Sequence, residues 1–102
     1  MPEIEKPARP TAKCLELLER AMEYIAKDSP QQAEILHRQF YEKISGIETM
    51  PGIGTPYKNG MRKTGLGKFR IYNIYYREKE IEIEILGIWH TSKGAEFTES
   101  QQ

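Results

Sequence analysis

The stretch that most constrains this chain is "YYREKEIEIEILGIWH", from Tyr75 to His90. Ile81, Ile83 and Ile85 alternate strictly with Glu80, Glu82 and Glu84. A period of two places successive side chains on opposite faces of a strand, so one face is apolar and the other meets water. The isoleucines should therefore face a covering layer, with Glu82 and Glu84 in solvent. The alternation fails at Leu86, where even positions turn apolar as well, and the run stops at His90, one of two histidines. Carried through unchanged, the period puts His90 with Leu86 and Ile88 on the side away from the covering layer. The end of this strand must then be covered on both faces or lie beside a partner.

The preceding sequence supplies the cover. Residues 11–28, "TAKCLELLERAMEYIAKD", read as a helix whose stripe is Ala12, Leu15, Leu18, Met22 and Ile25. Ser29-Pro30-Gln31-Gln32 is a helix start, with Ser29 as cap, Pro30 in the first turn and Gln32 placed to close a capping box. Ala33, Leu36, Phe40, Ile44 and Ile47 form the second stripe, to about Gly46. Hardly any residues separate the helices, so they make an antiparallel hairpin.

Thr49 to Gly60, "TMPGIGTPYKNG", is a loop broken by prolines and glycines. Strands follow within Gly60–Leu66, over Phe69–Arg77 and over Ile81–His90, with a turn at Glu78-Lys79 and a bulge or close approach expected at Gly65 and Gly67. Ile4 to Ala8 reads as a further strand, which Pro7 confines to an edge. The expected fold is α+β in the order β-α-α-β-β-β, a small mainly antiparallel sheet with a helical hairpin on one face. Residues 1–94 make a single domain, and 95–102, "AEFTESQQ", read as a frayed tail.

At 102 residues the chain suits one small core; hydrophobic content is 38% and mean hydropathy −0.67. No apolar run approaches the ~20 residues that cross a bilayer, and "MPEIEKPARP" holds no apolar signal core. Cys14, the only cysteine, cannot form an intrachain disulfide. These features point to the cytoplasm. Cys14, His37 and His90 are too scattered to make a metal site. Neither a cofactor nor a small-molecule substrate is implied.

Formal net charge is zero, yet residues 51–77 carry Lys58, Arg62, Lys63, Lys68, Arg70 and Arg77 with no acid among them. Such a patch can recognise phosphate or an acidic partner, or it can be a solvated strand surface. Along Phe69–Arg77, alternation puts Arg70, Tyr72, Ile74 and Tyr76 on one face and Phe69, Ile71, Asn73, Tyr75 and Arg77 on the other.

The ordered set of these pieces resembles the RelE/ParE superfamily, the toxins of type II toxin–antitoxin modules. The pieces are the short edge strand, "RPTAKCLELLERAMEYI", the Ser-Pro turn, the Pro-Gly loop, "NGMRK", the Tyr-Tyr-Arg strand and "IEILGIWH". The resemblance spans about residues 4–94. It implies a small bacterial toxin that stops growth and is neutralised by a cognate antitoxin. RelE-like members cut mRNA on the ribosome; ParE-like members inhibit DNA gyrase. The ending "EILGIWHTSKG" and the step "GMR" look ParE-like, so gyrase is the first expectation and ribosome-bound mRNA the alternative. Candidate target- or phosphate-binding residues are Lys58, Arg62, Lys63, Lys68, Arg70, Arg77, Tyr76 and Lys93. Leu86, Ile88 and Trp89 are candidates for antitoxin binding, on the expectation that they leave apolar surface at the sheet end.

A nuclease would need a group to take the 2′-hydroxyl proton, cations for the phosphorane and an acid for the leaving oxygen. His90, Arg70 and Arg62 are its catalytic candidates. Against it, Thr91 stands where several RNA-cutting relatives carry tyrosine, His37 lies in the second helix, and residues 51–77 offer no carboxylate base. Each candidate also has a structural alternative: His90 as a hydrogen-bonded strand end, Trp89 as packing and the tyrosines as ordinary strand residues.

Overall fold

The computed structural model describes residues 6–91 and 96–99; Ile4 and Lys93 lie outside them, as does the side chain of Arg70. The elements are β1 (Ala8–Pro10), α1 (Ala12–Ala26), α2 (Pro30–Thr49), β2 (Thr55–Pro56), β3 (Arg62–Leu66), β4 (Phe69–Glu78) and β5 (Ile83–His90), with single 3₁₀ turns at Pro51–Ile53 and Lys58–Gly60. The five strands lie in the order β1-β5-β4-β3-β2. Only β1 against β5 is parallel. The α+β architecture is the expected one, with the two-residue β2 added from inside the Thr49–Gly60 loop.

Both helices start where a side-chain oxygen meets an otherwise unpaired backbone donor. Thr11 Oγ1 accepts from the Cys14 amide at 3.0 Å and Ser29 Oγ from the Gln32 amide at 3.2 Å. No closing bond from Gln32 is needed, because the Ser29 amide already donates to the Ile25 carbonyl. The α2 stripe is buried as read. The α1 stripe is rotated from the expected one: Cys14, Leu17, Leu18 and Ala21 are buried, and Leu15 is 41% exposed. Cys14 and Leu17 both fit a helical period with Leu18 and Ala21, so spacing alone left the register of this face open.

Among the described residues the N-terminal strand is Ala8–Pro10, with Lys6 and Pro7 before it. Ala8–Pro10 pairs with Ile83–Ile85, and Pro10 is tolerated because β1 is an edge. The Ala8 amide is met by the Glu48 carboxylate of α2 at 2.6 Å. Ile81 was expected to face the helices but is 80% exposed, because it precedes the first paired residue of β5, Ile83.

Two register shifts shape the sheet. One lies between Gly65 and Leu66 in β3, as the glycines suggested. The other lies in the β4–β5 pairing, where Tyr75 opposes Gly87 but Tyr76 opposes Ile85, leaving Leu86 as an extra residue. A bulge of this kind reverses which residues face which side. Ile83 and Ile85 share the helix face with Tyr76. Beyond the bulge that face is taken by Ile88 and His90, opposite Ile74 and Tyr72. His90 therefore sits on the helix side, correcting the expectation drawn from an unbroken period. The change of pattern at Leu86 marks the bulge.

The expected frayed tail is also corrected where it is described. Phe97 is 1% exposed and belongs to the core, stacked on Tyr75, which alternates in β4 with the helix-facing Ile74 and Tyr76, while Leu17 of α1 also reaches the Gly87 position beside it.

Candidate functional site

The end of the sheet is occupied differently on its two sides. On the helix side, a cavity of about 530 Å³ opens between α1 and the ends of β4 and β5, lined among others by Arg20, Tyr24, Lys27, Tyr72, Ile88 and His90. The His90 ring meets Tyr72 edge-on, 5.0 Å between centroids at 85°. Burial pushes the Tyr72 hydroxyl pKa above its ordinary value, and nearby Tyr24 adds to the shift.

On the other face lies an aromatic stack. Tyr75 packs against Tyr57 at 5.0 Å, and Phe97 lies over Tyr75 at 4.5 Å and 16°, with Trp89 6.3 Å from Phe97. Gly87, opposite Tyr75, makes room for the Phe97 ring: a Cβ there would stand 2.6 Å from Phe97 Cζ. The Tyr57 hydroxyl donates to the Phe97 carbonyl at 2.9 Å. Ion pairs flank the ring. Lys58 Nζ meets Glu96 at 2.8 Å, and Arg77 Nη2 and Nη1 donate to the Glu99 carboxylate at 2.6 and 3.1 Å. Those bonds lower the pKa of each glutamate and raise that of its cationic partner. The Lys63 ammonium stands 5.4 Å from the centre of the Tyr57 ring.

Two candidate residues hold the chain itself. Arg62 Nη1 donates to the Gly54 carbonyl at 2.7 Å. The buried Tyr76 hydroxyl donates to the Pro51 carbonyl at 2.7 Å and accepts from the Gly54 amide at 2.9 Å. Together they pin the 51–54 turn to the sheet. Gly54 leaves no room for a side chain, since a Cβ would sit 2.7 Å from the Lys63 carbonyl oxygen. Arg77 also donates to the Asn59 carbonyl at 2.9 Å, holding a turn in which Asn59 adopts a φ of 60°.

Two of the nuclease candidates, Arg62 and His90, are not brought together. Arg62 is paired with Tyr76, and His90 with Tyr72, four residues away along β4, which is about 13 Å of strand. Arg70 lies in β4 two residues before Tyr72, near the His90 end, but its side chain is outside the described ones. Lys58, Lys63 and Arg77 gather around the aromatic face, while Lys68 lies by Phe69. Lys93 is outside the described residues. Of the three antitoxin candidates, Leu86 and Ile88 are buried in the protein's own core, so the expected apolar surface does not include them; Trp89 is half-buried. Their burial follows from the bulge and from the cover that α1 and Phe97 provide.

Sequence reasoning passed over Tyr57, Gly87, Glu96, Phe97 and Glu99. The available signals were a lone aromatic in an otherwise polar ending, "EFTE", and a glycine interrupting the apolar part of β5. Among the described residues no group of three His, Cys, Asp or Glu side chains is placed to hold a metal ion. None of their helices is long and apolar enough to cross a membrane. Cys14 is buried, and desolvation pushes its thiol up to about 12, so it is no ready nucleophile.

Comparison with curated proteins returned no match. Among solved structures, the chain is similar to one described as "Chromosomal ParDE TA system from P. aeruginosa", with a TM-score of 0.76 and 22% identity, covering 86% of this chain and 98% of that one. That likeness bears on the fold. The family described as "ParE toxin of type II toxin-antitoxin system, parDE" matches residues 9–94, nearly all of the folded unit. The chain belongs to the ParE toxin family of type II toxin–antitoxin systems.

Proposed function

We propose that this toxin acts by binding DNA gyrase in the cytoplasm and that a cognate antitoxin neutralises it. Membership of the ParE family carries the reading. The separation of Arg62 from His90 along β4 supports action by contact, since general acid–base chemistry needs proton donor, acceptor and cations within hydrogen-bond reach of one phosphate. Arg62 and Tyr76 act in this reading by holding the loop. Lys58, Lys63 and Arg77 remain proposed target-binding residues, with Lys68, Arg70 and Lys93 as further cations for the target, and Trp89 remains the proposed antitoxin contact. No cofactor or metal is required.

Purified protein should inhibit supercoiling by gyrase and trap cleaved DNA with no ribosome present. His90→Ala should weaken inhibition only in proportion to lost contacts. Normal supercoiling at saturating protein, together with cuts in mRNA at the ribosomal A site that vanish in His90→Ala, would instead establish the RelE-like nuclease.

A further inference from the structure

The aromatic face is occupied by the chain's own end. Glu96–Glu99 is held there by four kinds of contact: a stacked ring, space left by Gly87, a hydroxyl bond to the Phe97 carbonyl, and ion pairs from flanking acids to Lys58 and Arg77. Those two cations come from the acid-free stretch of residues 51–77, and their partners lie some 20 to 40 positions later in the sequence. The segment forms no helix or strand of its own. Its seat thus recognises one aromatic side chain, one main-chain carbonyl and two carboxylates, features that any acidic peptide with a suitably placed aromatic residue can present.

We propose that this face is a peptide-docking site, that Glu96–Glu99 occupies it in cis, and that a partner protein segment carrying an aromatic residue between acids docks by displacing it. The segment is too short to bury much else, and ion pairs as exposed as these hold it only weakly. Exchange with a competing segment therefore requires no unfolding of the sheet. Lys63, beside Tyr57 and near Glu96, offers a further cation to an incoming acid. The inference rests on the face and its occupant, not on the identity of the toxin's target.

The probe is a fluorescent peptide of the sequence from Ala95 to Gln102, titrated by anisotropy into the full chain. Phe97→Ala removes the ring that fills the seat, and the double variant Glu96→Lys/Glu99→Lys turns both ion pairs into repulsions; the second changes only exposed side chains and so guards against misfolding of the first. Each should bind the peptide at least tenfold more tightly than the native chain does. A peptide with alanine for its phenylalanine, or glutamine for both glutamates, should lose that gain. If the charge-reversed chain, folded by circular dichroism, binds the peptide no better than the native chain, the proposal is overturned. Equal binding of the native and altered peptides would overturn it as well.

Discussion

The two faces of the sheet are covered by different means. On one, α1 and α2 bury Leu17, Leu18, Leu36, Phe40 and Ile47 against Ile74, Ile83 and Ile85, a layer in which no charged residue is buried. On the other, a short terminal segment contributes one ring, with ion pairs on either side of it. Apolar burial is insensitive to salt and spread over many contacts, whereas exposed ion pairs are screened and contribute little each. The helix face is built to hold the fold, and the strapped face is built to open without disturbing it.

The largest effect should come from the helix face. Phe40→Ala removes a fully buried ring and should lower global stability by about 3–5 kcal/mol, measured by urea denaturation. Phe97→Ala removes a ring of the same size but should cost clearly less, roughly 1–2 kcal/mol, because the segment can release locally while the sheet persists. Equal losses for the two would erase the distinction between the faces.

Tyr76→Phe tests the loop anchor between them. It leaves the Gly54 amide and the Pro51 carbonyl without their shared hydroxyl and should cost about 1–3 kcal/mol. Its main sign should be faster amide exchange around residues 51–54.

A smaller effect concerns pH. Glu96 and Glu99 have pKa values below the ordinary carboxylate value because Lys58 and Arg77 bond their charged forms. Groups shifted this way support the folded arrangement above their unfolded pKa and lose that support as pH falls through the folded one. The strap should therefore loosen below about pH 4.5, before the helix face does. Proteolysis of the C-terminus at graded acid pH, with circular dichroism in parallel, measures the separation.

The helix face was largely legible in the sequence. The α2 stripe, the Ser29 start, and the alternation of Ile83 and Ile85 each report a local period or a local cap. Thr11 was inside the expected helix rather than identified as its cap, and the α1 stripe was ambiguous because Cys14, Leu17 and Ala21 fit a helical period with Leu18 as well as Leu15, Met22 and Ile25 do. The strapped face was not legible. One extra residue at Leu86 inverts the face of everything after it, and the broken alternation there is equally the pattern of a strand covered on both faces. The ion pairs join positions far apart in sequence, so no local spacing announces them. Phe97 was read with its polar neighbours, although an aromatic residue in such a setting needs somewhere to be buried.

The difference between the faces is tested most directly by Trp89, the only tryptophan, whose ring lies 6.3 Å from that of Phe97 and also borders the cavity beside α1. Its quenching by acrylamide can be followed from low salt to about 0.5 M NaCl, where exposed charges are screened beyond roughly 4 Å. The expected result is a rise in quenching with salt while the far-ultraviolet circular dichroism of the helices stays constant, and no such rise in Phe97→Ala, whose strap is already released. Quenching that is indifferent to salt in the native chain, or that rises only together with loss of helix, would contradict the claim that one face is held by burial and the other by a charged, releasable strap.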